Sequence, residues 1–501
     1  PRPSGVFVHG NHLCWQNEFT ADRPDLTLRV PLDEVLGKQP INVLQLASER
    51  PHHHAAARWV DTEGKLLASQ KPAPPQPLVP VGAARIDITP EFPVRLTGYG
   101  NRAEEFESVA SRIHARALSI QQSAADSQDA NHVVLVTVDN CGVPASVTDA
   151  VYHRVAAKHS IPRSAFAISS THTHSGPWLR DFAPNILLNV TEEHAAHLQQ
   201  YEAELITKLT ALIDTAISNQ RPARLSLGRG RADFAVNRRV LEAGQWTGFG
   251  EVPDAPVDRQ LSVLAAHDAN GELIAVLTNY ACHATTETGQ FNSISGDWPG
   301  HAADRLEEKH AGAIALVAIG CGADANPSPR GTHGLAMQHG QTFADEVNRL
   351  LAGTEVDSSA LLSPIDPKIA CNIANIDLPL APLPARDVWE TRAKRAGHEG
   401  VWATQILQLL DEGKPVPTTV PNYPIQTWCF GQDLAMVFLG GEVVVDYALR
   451  LNEMFDDQRL WLNAYSNDVP SYISSKRILR EGGYEADRSM TYYNRPGPLA
   501  P

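Results

Sequence analysis

The stretch SSTHTHSGP, Ser169 to Pro177, places His172 and His174 two residues apart among hydroxyl side chains. Neutral imidazole binds transition metals and carries protons near neutral pH, so a His-x-His pair could hold an ion or move a proton. Three further groups of this kind stand in comparable places. His283 closes NYACH, Asp324 follows GCGA, and Glu442 follows MVFLGG. Imidazoles with a carboxylate suit a catalytic zinc, which takes three or four N/O ligands and keeps one position for water. A single histidine of this sort is more often a hydrogen-bonded structural residue. The recurrence of the pattern is what carries weight.

Each of these groups ends an apolar run. HVVLVTVDN (132–140) ends in Asp139 and Asn140, and AFAISSTH (165–172) runs into the two histidines. ELIAVLTNYACH (272–283), AIALVAIGCG (313–322) and LAMVFLGGE (434–442) have the same form. Continuous apolar runs predict strands buried on both faces. Helical patterns lie between them. Residues 191–219 form a long amphipathic stretch, and DWPGHAADRLEEKH starts with Asp297 as an N-cap and Pro299 in the first turn. The alternation predicts an α/β fold, a mixed buried sheet flanked by helices. Ligands of open α/β sheets bind outside the carboxyl ends of strands, so these distant groups could meet in one crevice.

Ahead of this core, residues 1–70 carry short apolar runs and read as a small β-rich region. Residues 71–80 read as a Pro-rich linker, and 81–501 as the main domain. The triple His52, His53, His54 reads as a surface loop in preference to a metal site. The 501 residues, 43% hydrophobic and 20% charged, suffice for a large core. A net charge of -15 without any Lys/Arg run argues against a nucleic-acid partner. No apolar run reaches the roughly 18 residues of a membrane span. Six scattered cysteines without a CxxC pair read as core thiols with at most one disulfide. The start at Pro1 rather than Met leads to the expectation of an exported, periplasmic or extracellular protein.

Several segments, taken in order, resemble the neutral/alkaline ceramidases, a family of zinc-dependent amidohydrolases. They are VGAARIDITP (81–90), LTGYG (96–100), RIHARALSI (112–120), THTHSGP, VNRR (236–239) and VDRQLSVL (257–264). NYACHATTE, SGDWPG (295–300), LGGEVVV (439–445) and NAYSNDVPSY (463–472) continue the series. The resemblance covers about residues 81–495 and corresponds to the family's N-terminal catalytic domain. It implies zinc ligands His114, His283, Glu442 and Tyr472, with His172 and His174 beside the metal as proton carriers or oxyanion donors.

One departure stands out. The family carries a nucleophilic serine in a Gly-Asp-x-Ser-Pro-Asn-like run, whereas this chain reads GCGADANPSPR. Ala325 or a neighbour takes that place, and Ser328 comes three residues late. Alanine cannot attack a carbonyl, so the expected chemistry is direct attack by zinc-bound water. Asp324 is a candidate base or loop-fixing residue. Cys321 reads as inert core rather than a replacement nucleophile. Arg238, Arg239, Arg330 and His333 could receive an anionic or sugar-like small-molecule substrate. The expectation is therefore a Zn2+-dependent hydrolase of an amide or ester bond. The alternatives are a glycosidic, lactone or other carbohydrate-linked bond on the same metal, or an inactive metal-stabilised binding protein.

Overall fold

The computed structural model describes residues 5–9, 12–16, 27–31, 77–122, 132–352 and 361–501. The chain divides into two units, Pro1–Pro75 and Gln76–Pro501. In the first, strands Gly5–His9, His12–Gln16 and Thr27–Pro31 pair antiparallel in that order. His52, His53, His54 and the linker residues 71–76 lie outside the described residues. The strand Val79–Asp87 begins inside the stretch expected to be linker. Pro80 is tolerated there because it pairs opposite Pro222, and neither residue has an N–H to lose from the ladder.

The second unit is built on the mixed sheet that the apolar runs implied. Its strands lie in the order Ile314–Ile319, Leu273–Tyr280, Gln260–Asp268, Arg221–Arg231, Val79–Asp87, His114–Gln121, His132–Val138, Phe166–Ser170. The inner pairs are antiparallel. The outermost pair at each edge is parallel: His132–Val138 with Phe166–Ser170, and Leu273–Tyr280 with Ile314–Ile319. A parallel pair needs a crossover, which helix Ala145–His159 supplies at one edge and helix Asp297–Lys309 at the other. The N-cap is Gly296 rather than Asp297 as expected; Asp297 opens the helix, and its carboxylate accepts from the N–H of Trp298 at 2.6 Å and of Glu287 at 3.0 Å. The stretch 191–219 forms one helix, Glu192–Ser218, capped by Thr191. Its apolar side, Leu198, Tyr201, Leu205, Leu209 and Leu212, is buried at helical spacing.

Segment 464–467 joins the two edges of the sheet. The Ala464 N–H donates to Ile319 O (2.9 Å) at one edge. At the other, the Ser170 N–H donates to Tyr465 O (3.1 Å) and the Asn467 N–H to Ile168 O (2.7 Å). The carboxyl ends of the two parallel pairs are thereby drawn together. A second sheet, Ile369–Pro379, Thr419–Phe430, Leu434–Leu439 and Leu460–Asn463, delivers Glu442 to the same place. Glu442–Val443 pairs in parallel with Tyr472–Ile473. Among the described residues, no helix is long and apolar enough to cross a membrane.

The half-buried His132 should make stability depend on pH. His132 Nε2 lies 2.7 Å from Ser119 Oγ and 3.2 Å from Gln220 Nε2, and burial lowers its pKa to about 4. The unfolded chain takes up that proton near pH 6.5, the folded chain only near 4. The stability His132 contributes is present above pH 6.5 and is lost as pH falls toward 4. Denaturant titrations should show wild type losing stability over that interval faster than His132→Gln. Parallel curves would refute this.

Candidate metal centre

Three side chains from three distant segments converge at the joined strand ends. His172 follows strand Phe166–Ser170, His283 follows Leu273–Tyr280, and Glu442 opens the short strand Glu442–Val443. Glu442 Oε2 lies 3.3 Å from His172 Nε2 and 3.2 Å from His283 Nε2. All three residues are buried, His172 and His283 completely. Each imidazole has its other nitrogen tied to the backbone. His172 Nδ1 donates to Cys141 O at 2.6 Å, and His283 Nδ1 donates to Gly322 O at 2.9 Å. Those bonds put the proton on Nδ1 and leave both Nε2 lone pairs facing the carboxylate. This is how metal-binding histidines are oriented. His172 takes a left-handed backbone, φ 59°, which is costly away from glycine and turns its ring into the crevice.

The electrostatics agree with an ion site. Burial, with Arg238 and His172 nearby, lowers His283 to a pKa of about 3, so it is neutral at physiological pH. The Glu442 carboxylate is buried as well, which disfavours its charge unless a cation is at hand. Its Oε1 accepts from the Tyr493 hydroxyl. Its Oε2 and His283 Nε2 are buried with no hydrogen-bond partner. Two imidazole nitrogens and an orphaned carboxylate oxygen within 4.8 Å of one another form a donor set that fits a divalent cation.

His114, expected as a ligand by resemblance, does not join this group. It starts strand His114–Gln121, and its Nδ1 lies 4.0 Å from Asp304 Oδ1 in a separate network. There the buried Arg116 pairs with Asp139 (3.4 Å), Asp304 (2.7 Å) and Glu307 (2.9 Å). Of the histidines singled out in the sequence, it is His172 that lies with His283 and Glu442. His174 lies beside His172. Its Nε2 is 3.1 Å from His172 Nε2, its ring meets Tyr99 edge-on at 4.9 Å, and its Nδ1 is buried without a partner. Burial, reinforced by His172 and His283, holds His174 well below its usual pKa and therefore neutral.

Tyr472 pairs in register with Glu442, and its hydroxyl accepts from Arg238 Nη2 at 3.1 Å. Burial and Glu442 raise its phenol well above the ordinary value against the pull of Arg238. Asp324 is not placed for proton transfer. It accepts from the Val445 N–H (2.8 Å) and Asn237 Nδ2 (3.2 Å), and burial lifts it to about 6. It fixes the loop. Arg239 is likewise structural, bound by Glu481 (3.0 Å) and Glu485. Arg238 pairs with Glu485 (2.9 Å), and His333 with Glu287 (2.6 Å). Cys321 is buried and its thiol is pushed up by burial, so it is inert. Cys141, Cys282, Cys321, Cys371 and Cys429 are free thiols.

Three neighbours escaped the sequence reading. They are Tyr465, stacked on His172 with centroids 4.2 Å apart, Tyr493 on Glu442, and Cys141, whose carbonyl orients His172. Tyr465 stands in the quoted run NAYSNDVPSY, but nothing in its spacing sets it apart from Tyr472. A backbone carbonyl acceptor has no sequence signal at all.

The fold and these donors define the class: a mixed α/β protein with a buried His–His–Glu centre fitted to a metal ion. The family model for neutral/alkaline non-lysosomal ceramidase, N-terminal, matches residues 80–329. Neutral ceramidase of Pseudomonas aeruginosa is 27% identical over 230 residues, covering 45% of this chain and 33% of that protein. Neutral ceramidase of Mycobacterium tuberculosis is 26% identical over 252 residues, covering 48% of this chain and 37% of that protein. The matched stretch thus spans about a third of these relatives. A solved ceramidase complexed with C2 superposes with a TM-score of 0.62 at 18% identity, covering 84% of this chain and 73% of the other. The crystal structure of the Pseudomonas aeruginosa enzyme gives 0.61 at 20% identity, with the same coverage. These last two likenesses are of fold. The chain belongs to the neutral/alkaline, non-lysosomal ceramidase family.

Elemental mass spectrometry separates the two histidine assignments. His283→Ala and His172→Ala should each lose the metal that wild type retains, and His114→Ala should keep it. Loss in His114→Ala with retention in His172→Ala would reverse the assignment.

Proposed function

We propose that this chain is a zinc-dependent hydrolase that cleaves an amide or ester bond with water as the nucleophile. The observation that carries the reading is the convergence of His172 Nε2, His283 Nε2 and Glu442 Oε2, with both Nδ1–H groups held by backbone carbonyls. Those three side chains would hold the ion, and Tyr472 is the fourth ligand that the family resemblance assigns. Zinc bound there would polarise a carbonyl and bring the pKa of a water near 7. The relatives named above are ceramidases, so the bond class carried over is an N-acyl amide.

The remaining steps belong to the chain. Glu442 would supply negative charge to a bound ion, and Tyr493 orients the carboxylate by donating to Oε1. His174 is neutral, and its Nε2 lies 3.1 Å from His172 Nε2 at the edge of the centre. From there it can donate to the oxygen that gains charge when the carbonyl is attacked. Arg102 fixes the segment by donating to the His174 carbonyl. Ala325 is buried in strand Ala325–Pro327, and its carbonyl accepts from the His283 N–H at 3.1 Å, so it serves to place the histidine.

The test is turnover by zinc-loaded protein on a panel of N-acyl amides, ceramide included, and simple esters. Activity should survive a serine-directed sulfonyl fluoride. His174→Gln should lower kcat on the order of 10²-fold with zinc content unchanged. Sulfonyl fluoride inactivation, or full activity in His174→Gln, would contradict the mechanism. Zinc binding with no turnover on any substrate would contradict the hydrolase reading itself.

A further inference from the structure

The four polar side chains that the sequence offered to an anionic substrate are not equivalent once folded. Arg238, Arg239 and His333 are each neutralised by a carboxylate of the protein. Arg330 is not: among the described residues no carboxylate lies within 4.0 Å of its guanidinium. Its Nε donates to Thr285 O at 2.8 Å and its Nη2 to the Tyr99 hydroxyl at 3.0 Å. That occupies one edge of the fork and leaves the Nη1/Nη2 end free. Guanidinium stays charged at any physiological pH, and its paired N–H groups match a carboxylate.

Two neutral donors flank that free end. Asn326 Oδ1 accepts from Arg238 Nη1 and from Thr285 Oγ1, both at 3.2 Å. Two donors on one oxygen fix the orientation of the amide, so Nδ2 is the atom left over. Among the described residues neither Asn326 Nδ2 nor Ser328 Oγ has a protein partner. Arg330, Asn326 and Ser328 line one cavity of about 200 Å³ together with Val236, Phe249 and Pro327. Glu251 also lines it but is exposed on strand Gln245–Val252, where solvent screens its charge. The cavity is tied to the metal centre on both sides. Asn326 shares Arg238 with Tyr472, and Tyr99 joins Arg330 to the edge of the His174 ring.

A half-buried cation with a free fork, two unpartnered donors and an apolar wall form a binding site for a small anionic group. The volume lies below the roughly 300 Å³ where pockets for larger ligands begin. We propose that this cavity is a carboxylate subsite: the substrate is an amide or ester that carries an anionic group, seated on Arg330, Asn326 Nδ2 and Ser328. This rests on the hydrolase reading for the role of the neighbouring centre, but the subsite can be tested without turnover.

The probes are succinanilate, an anilide ending in a carboxylate, and butyranilide, its neutral counterpart of equal length. Isothermal titration of the full chain, with and without zinc, measures both. Succinanilate should bind on the order of tenfold or more tighter, as one charge-assisted fork requires. Arg330→Gln should erase the preference, and Arg330→Lys, which keeps the charge but not the fork, should restore part of it. Equal binding of the two anilides, no succinanilate binding at millimolar concentration, or an unchanged preference in Arg330→Gln would overturn the proposal. The para-nitro derivatives then report hydrolysis separately. Preferential binding without release of nitroaniline keeps the subsite and counts against the hydrolase reading for these amides. Release without a carboxylate preference does the reverse.

Discussion

The centre depends on a carboxylate buried between two imidazoles. Glu442 Oε2 faces two Nε2 lone pairs and receives no protein hydrogen bond. Removing a carboxylate from water costs several kcal/mol, and an acceptor facing acceptors gains nothing back. A cation reverses the balance, because all three atoms then become ligands. The chain is committed to this arrangement by two backbone bonds, Cys141 O to His172 and Gly322 O to His283. They fix the tautomers before any ion arrives, so an ion meets a preorganised site.

The scaffold is shaped to make that convergence possible. A sheet with a parallel pair at each edge has two sets of strand ends suited to binding. Segment 464–467 brings the sets together by hydrogen-bonding to both edges. Beside the donors Arg238 and Arg239 share Glu485, and in the separate network at His114 Arg116 gathers Asp139, Asp304 and Glu307. Buried pairs of this kind add little net stability, but removing one partner leaves a charge that nothing compensates. Their contribution here is positional. Arg238 reaches from Glu485 to both Tyr472 and Asn326, linking the centre to the cavity beside it.

The cavity beside the centre is what the proposed substrate preference rests on. Its volume of about 200 Å³ and its uncompensated Arg330 differ from what a hydrocarbon chain would select. Family membership supplies the scaffold and the segments that carry the candidate metal donors, and a substrate preference has to be argued from the groups bordering the cavity.

The sequence by itself determined the strands, because continuous apolar runs such as HVVLVTV and IALVAI fit little but a doubly covered sheet. It also determined that polar groups cluster after those runs, and the order of motifs indicated the family. The sequence did not determine which of those groups come together in the candidate ion site. His114 and His172 both stand at strand termini, yet they occupy opposite ends of their strands, His114 opening one and His172 following another. Only the register of the sheet and the left-handed turn at His172 put one at the centre and the other beside Asp304. The same holds for the arginines: Arg238, Arg239 and Arg330 look alike in sequence, and pairing with Glu481 and Glu485 takes two of them out of play. Ligation and ion pairing are set by angstrom-scale distances between atoms remote along the chain, and such distances exist only once the tertiary structure has formed.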